Sequence, residues 1–223
     1  MKNKLLLACF ILSFAIQYLN ANGQVFQSIG FKSGMSIANQ SWAYQTINPV
    51  IETKYRTGFY SAITLDFFAS KNFSLEADIG FIEKGHKQEM DVVSGTNPEI
   101  LSTETFDTRF DYLTISPQLK MRFETGHWIP NFLLGLRLDQ QVSFSSVFLL
   151  QNKDELHKTI FGLNLGVGLE YRANQVGFFT EEQYQPDFSK VVDNDYLEAT
   201  NKAFVVVIGM KYYLHPQNES AKK

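Results

Sequence analysis

Leu163, Leu165, Val167, Leu169 and Tyr171 occupy every second position of the stretch GLNLGVGLEYR, and Asn164, Gly166, Gly168 and Glu170 stand between them. A period of two puts the apolar set on one side of an extended strand and the small or polar set on the other. The Gly166-x-Gly168 spacing also suggests a phosphate loop, but such a loop needs a helix whose N-terminus receives the phosphate. Here the alternation runs through the glycines. The same period recurs over roughly 26–38, 57–69, 72–84, 111–124, 130–144, 159–172, 175–186 and 203–214, and no stretch after residue 24 reads as a long helix.

The connections sort these eight predicted strands. Ser70-Lys71, Thr125-Gly126-His127 and Ala173-Asn174 join strands 2–3, 4–5 and 6–7, whereas the other connections are long and polar. The longest spans 85–110 and includes Met90, Val92, Val93, Ile100, Leu101 and Phe106. Strict short/long alternation places the tight turns at one end and the loops at the other, as in transmembrane β-barrels with tight periplasmic turns and long extracellular loops. Binding function belongs in the loops. The apolar content of 85–110 makes it the expected contact for a protein partner, with folding onto the barrel mouth as the alternative.

Export is consistent with the N-terminus. Lys2 and Lys4 precede an apolar run from Leu5 to Ile16, and Ala21-Asn22-Gly23 fits a signal-peptidase site. Residues 1–23 therefore read as a signal peptide, 24–214 as the barrel and 215–223 as a polar tail. The twelve-residue apolar run is too short to cross a bilayer as a helix. The single cysteine, Cys9, lies inside the signal, so no disulfide or cysteine-held metal is expected in the exported chain. The 20 Lys and Arg fall to 18 without Lys2 and Lys4, against 23 Asp and Glu, which argues against nucleic-acid binding. With no stretch of 18 apolar residues after the signal, only a closed barrel satisfies a membrane-embedded backbone.

The two faces differ in kind. One carries Lys32, Asp66, Glu76, Asp78, Lys84, Lys120, Arg122, Arg137, Asp139, Glu170, Arg172, Glu181 and Lys211, seven cations and six anions. An eight-stranded barrel has an interior that side chains fill, so these charges are expected to pair as a lumenal plug rather than line an ion path. The other face ends in aromatics: Phe59, Phe81, Phe144, Phe161, Tyr184 and Phe204 towards the loops, and Phe67, Phe73, Phe123, Phe132, Tyr171, Phe178 and Tyr212 towards the turns. Eight to ten residues separate the rows on most strands, roughly 20–25 Å at ~3.3 Å per residue and about 40° of tilt, the height of a lipid-facing band between aromatic girdles. Gln140 and Glu182 break this face and are expected near an interface or above a bulge, and Pro117 in strand 4 calls for a β-bulge.

Chemistry is sparse. His86 and His157 share the loop end with Glu89, Asp154 and Glu155, and Ser143, Ser145 and Ser146 flank a loop with His157, but no metal or nucleophile motif marks them. No cofactor, metal site or catalytic residue is expected. A loop-side lipid-modifying enzyme and a soluble lipocalin-like binder are the weaker alternatives.

IGFKSGMSIAN, TGFYSAITLDF, FSLEADIGFIEKG, YLTISPQLKMRF, FGLNLGVGLEYR and FVVVIGMKYYL, in this order and spacing, resemble the Bacteroidetes PorT-like outer-membrane β-barrel family across the whole exported chain. The resemblance implies an all-β, eight-stranded antiparallel up-and-down barrel in the outer membrane with periplasmic termini. It implies no activity for most members, and for the namesake a part in protein export. The combined expectation is a structural or interaction protein, with an export accessory as the alternative.

Overall fold

The computed structural model describes residues 25–44, 53–68, 70, 72–93, 100–146, 156–193 and 197–214. The proposed signal peptide and the 215–223 tail lie outside them. Eight long strands form the ring: β1 (Phe26–Tyr44), β2 (Lys54–Phe67), β3 (Phe73–Val93), β4 (Ile100–Arg122), β5 (Trp128–Ser145), β6 (Thr159–Ala173), β7 (Val176–Pro186) and β9 (Leu197–Tyr213). Each pairs antiparallel with the next, and β1 pairs with β9 from Ser28↔Tyr213 to Tyr44↔Leu197, so the sheet has no open edge in its closed part. A two-residue strand, β8 (Val192–Asp193), adds to the loop end of β9.

The stretch 85–110 is corrected by the structure. It is mostly strand: β3 and β4 stay in register from Phe73↔Met121 to Val92↔Ser102, and the register shifts by one at Val93↔Ile100. The β2 ladder stops at Lys54↔Lys87 and the β5 ladder at Arg109↔Ser145, so the hairpin continues past its neighbours as a two-stranded ribbon. Thr103 and Thr105, which favour strands, face Asp91 and Glu89 on the exposed side, while Met90 and Phe106 are half-buried on the other. Antiparallel pairing satisfies the backbone there without a core.

Pro117 needs no bulge. Ile115↔Leu138 and Gln118↔Gly135 keep one register across it, and Pro117 still pairs with Ala77 on the other side. The proline loses a rung towards β5 while its neighbours Ile115 and Leu119 stay exposed on the outer wall. The bulge lies higher up, where Asp111 faces Ser143 but Tyr112 faces Gln141. Val142 is the extra residue, and beyond it the alternation reverses.

Candidate functional site

All thirteen predicted lumenal charges are buried. They divide among three levels. Towards the turns, seven form one cluster. Lys32 Nζ reaches Asp78 at 2.7 Å, Glu181 at 2.8 Å and Glu76 at 3.1 Å. Lys120 holds Glu76 at 2.9 Å and Glu181 at 3.0 Å; Lys211 holds Glu76 at 2.7 Å and Asp66 at 2.9 Å. Glu76 thus bonds three lysines from β1, β4 and β9. The ring of Phe179 sits below two of these ammonium groups, 5.5 Å from Lys120 and 5.0 Å from Lys211.

Nearer the loops, Lys84 pairs with Asp139 at 2.6 Å and Asp187 at 3.0 Å, while Arg137 pairs with Asp139 at 2.9 Å and also with Asp187. At the turn end, Glu170 accepts a hydrogen bond from Tyr213, whose ring lies 3.6 Å from the Arg172 guanidinium. Arg122 donates to the Ser70 carbonyl at 2.7 Å rather than joining an ion pair with the others.

Asp187 is the member that the sequence reading omits. Glu181, Gln183 and Gln185 face inward on alternate residues of β7, and Asp187 continues their parity beyond Pro186. Extending the alternation one step would have found it; Arg56 and Asp111, nearer the mouth, are also buried and also absent from that reading. The backbone follows the carboxylate inward: Asp187 bridges Gly162, and Val191 is fully buried beside Ile160, Phe110 and Tyr112. The β7–β9 connection therefore caps the lumen with apolar side chains.

Close packing of so many long side chains requires small residues opposite them. A Cβ on Gly162 would lie 2.6 Å from the Arg137 guanidinium, and one on Gly168 would lie 3.0 Å from the Glu181 side chain. Within an unbroken strand, Gly162 and Gly168 make room for lumenal charges and Gly166 for Gln183.

On the outer wall, Phe59, Phe73, Phe123, Phe132, Phe161, Tyr171, Phe178, Phe204 and Tyr212 are exposed, while Phe67, Phe81 and Tyr184 are half-buried at outward positions. Phe144 is a correction. The extra residue at Val142 turns it inward, against Phe110 at a ring separation of 4.8 Å. Glu182 is exposed on the outer wall, within regular ladders to Val167 and Val206 and not above a bulge.

The loop-end histidines and serines do not assemble as a catalytic set. Ser143 and Ser145 point outward, Ser146 turns inward to bond Thr108 at 3.0 Å, and His157 is exposed. Glu89 pairs with Lys54 on the ribbon's outer side; Asp154 and Glu155 lie outside the described residues. Among the described residues no group of three or more His, Cys, Asp or Glu converges on a metal-sized site.

His86 packs edge-on against Trp42, ring centroids 5.4 Å apart, above the Lys84 level. Burial pushes its imidazole down to about 4, partly opposed by the Asp107 carboxylate. The unfolded chain takes up this proton near 6.5, so the folded mouth loses stability as pH falls from about 6.5 towards 4 and is unaffected above. In a Trp128→Phe variant, Trp42 emission is expected to titrate with a midpoint near 4; a midpoint near 6.5 would place His86 in solvent.

The family described as outer membrane protein beta-barrel domain matches residues 22–216. Among solved structures, the chain is similar to the outer membrane protein OprG from Pseudomonas aeruginosa, with 11% identity over 86% of this chain and 98% of that one and a TM-score of 0.51. It is also similar to Neisserial surface protein A, with 12% identity, 82% and 96% coverage and a TM-score of 0.45. Ail, the attachment invasion locus protein of Yersinia pestis, aligns with 15% identity, 83% and 99% coverage and a TM-score of 0.41. The likeness to OprG speaks to the fold alone. No curated protein sequence matches.

Proposed function

This chain belongs to the outer membrane protein beta-barrel domain family of bacterial outer-membrane barrels, and we propose that it serves there as a structural and interaction protein rather than a pore or an enzyme. The observation that supports this reading is the set of buried ion pairs inside the ring. Two ion clusters, on Glu76 and on Asp139 with Asp187, are capped by Val191 and its apolar neighbours. Charges paired within such clusters form a salt-bridged plug, and an eight-stranded ring leaves little further space. The termini are periplasmic and the β3–β4 ribbon faces outward, as in barrels whose tight turns lie in the periplasm.

The ribbon is the surface for a partner. Its outer side carries Lys87, Glu89, Asp91 and Asp107, and a ribbon projecting past its neighbouring strands offers backbone groups as well as side chains. Photo-crosslinkers at Glu89 and Thr103 in intact cells are expected to capture one recurring outer-membrane or extracellular protein. Trimming the hairpin to the Lys87↔Asp107 pair should abolish the adduct while the barrel still shows heat-modifiable electrophoretic mobility. No adduct from either position would contradict the interaction role. The resemblance of the strand motifs to PorT-like barrels of the Bacteroidetes suggests an export accessory as the second reading, for which the captured protein would be a secretion subunit or exported substrate.

A further inference from the structure

Glu182 is the one acidic or basic residue at an outward position between the aromatic rows among the described residues. On β7 it stands four residues from Phe178 and two from Tyr184, with Val167 and Val206 as cross-strand partners, both exposed. Other polar groups on this wall are satisfied locally: Ser33 donates to the Tyr60 carbonyl at 3.2 Å and Thr180 to the Val207 carbonyl at 3.0 Å. Glu182 has no hydrogen bond or ion pair among the described residues. An ionisable side chain facing hydrocarbon opposes insertion, and such residues mark functional contacts with a partner that compensates them.

The wall beside it is concave. A groove of about 630 Å³ runs from Trp128, Tyr171 and Phe178 at the turn end to Thr180, Ser33 and Ile208. Thr180 and Ser33 are short among large neighbours, and Glu182 is the next outward residue beyond Thr180, about 7 Å further along the strand. An acyl chain in the groove would leave the carboxylate uncompensated. A second copy presenting this same patch supplies no cation, because the outward positions of β5, β6, β9 and β1 around Glu182 carry no Lys or Arg. The nearest outward cation along β9 is Lys202, four residues from Val206 and therefore about 13 Å away.

We propose that Glu182 and the adjoining groove form an intramembrane docking site for a different membrane protein, one that seats a convex apolar surface in the groove and presents a lysine or arginine to the carboxylate. The site rests on the reading of the chain as a membrane-embedded barrel. It is separate from the ribbon, which contacts partners outside the bilayer.

Trp128 lines the groove, and Trp42 is the only other tryptophan, so a Trp42→Phe variant reports on the site through one fluorophore. The full chain is reconstituted in phosphatidylcholine vesicles with a synthetic leucine-rich transmembrane helix carrying one central lysine and an energy acceptor. Energy transfer from Trp128 is expected to exceed that to the all-leucine helix several-fold. It should fall to the all-leucine level in Glu182→Gln, and Glu182→Lys should restore it towards a helix with a central aspartate. Equal transfer to both helices, or transfer indifferent to Glu182→Gln, overturns the site. Self-association of the barrel that depends on Glu182 overturns it in favour of a second copy. Heat-modifiable mobility is expected to persist in Glu182→Gln. Its loss in that variant alone would assign the carboxylate to barrel assembly, whereas its absence in the parent chain would refute the barrel reading itself.

Discussion

Glu76→Leu is expected to destabilise the folded barrel by about 3–5 kcal/mol, the range for removing one partner from a buried ionic cluster. Glu76 accepts from Lys32, Lys120 and Lys211 at 3.1, 2.9 and 2.7 Å. Its loss leaves Lys120 with Glu181, and Lys211 with Asp66, while Lys32 keeps Asp78 and Glu181. Three ammonium groups then face three carboxylates, and each has lost one of its bonding contacts in a space closed to water. Guanidinium titration in lipid vesicles should show the folding midpoint falling well below that of the parent. Glu76→Gln, which retains the shape and one acceptor oxygen, should lie between the two. A midpoint unchanged by Glu76→Leu would mean that water enters the cluster and screens it.

The outer wall carries the second large effect. Leu165 is an exposed side chain in the middle of β6, and its neighbour Asn164 is fully buried on the opposite face. Leu165→Arg should cost about 2–4 kcal/mol in a bilayer, the range for a cation near the midplane of a lipid-facing wall. Thr103→Arg, on the ribbon beyond the β5 ladder, should stay within about 0.5 kcal/mol, as surface substitutions do. The contrast is the informative quantity. Equal effects at the two sites would remove the distinction between lipid-facing wall and projecting ribbon.

Much of this architecture was legible in the sequence because the side-chain period of a strand is two and a closed barrel has only two faces. Parity alone identified the seven residues that meet around Glu76 and Glu181, since inward positions on every strand converge on one narrow lumen. Parity fails where register depends on a partner strand. Val142 gives no sign in its own strand that it is extra; the bulge exists because Asp111 and Tyr112 on β4 pair on either side of it, and Phe144 turns inward as a result. The ribbon escaped for a different reason. Segment 85–110 scatters a few apolar residues such as Met90 and Phe106 among many polar ones, so it lacks the regular alternation that marks a half-buried strand, and hairpin pairing makes it extended. Asp187 lies one residue beyond the 175–186 segment, within reach of the parity argument.

The filled lumen is the central claim, and single-channel recording in planar lipid bilayers tests it most directly. Purified full-length protein, first shown to be folded by its heat-modifiable mobility, is expected to insert without producing regular conductance steps, because the Glu76 and Asp139–Asp187 clusters and the Val191 cap obstruct the axis. Reproducible open-channel steps of uniform size from the folded parent chain would contradict it.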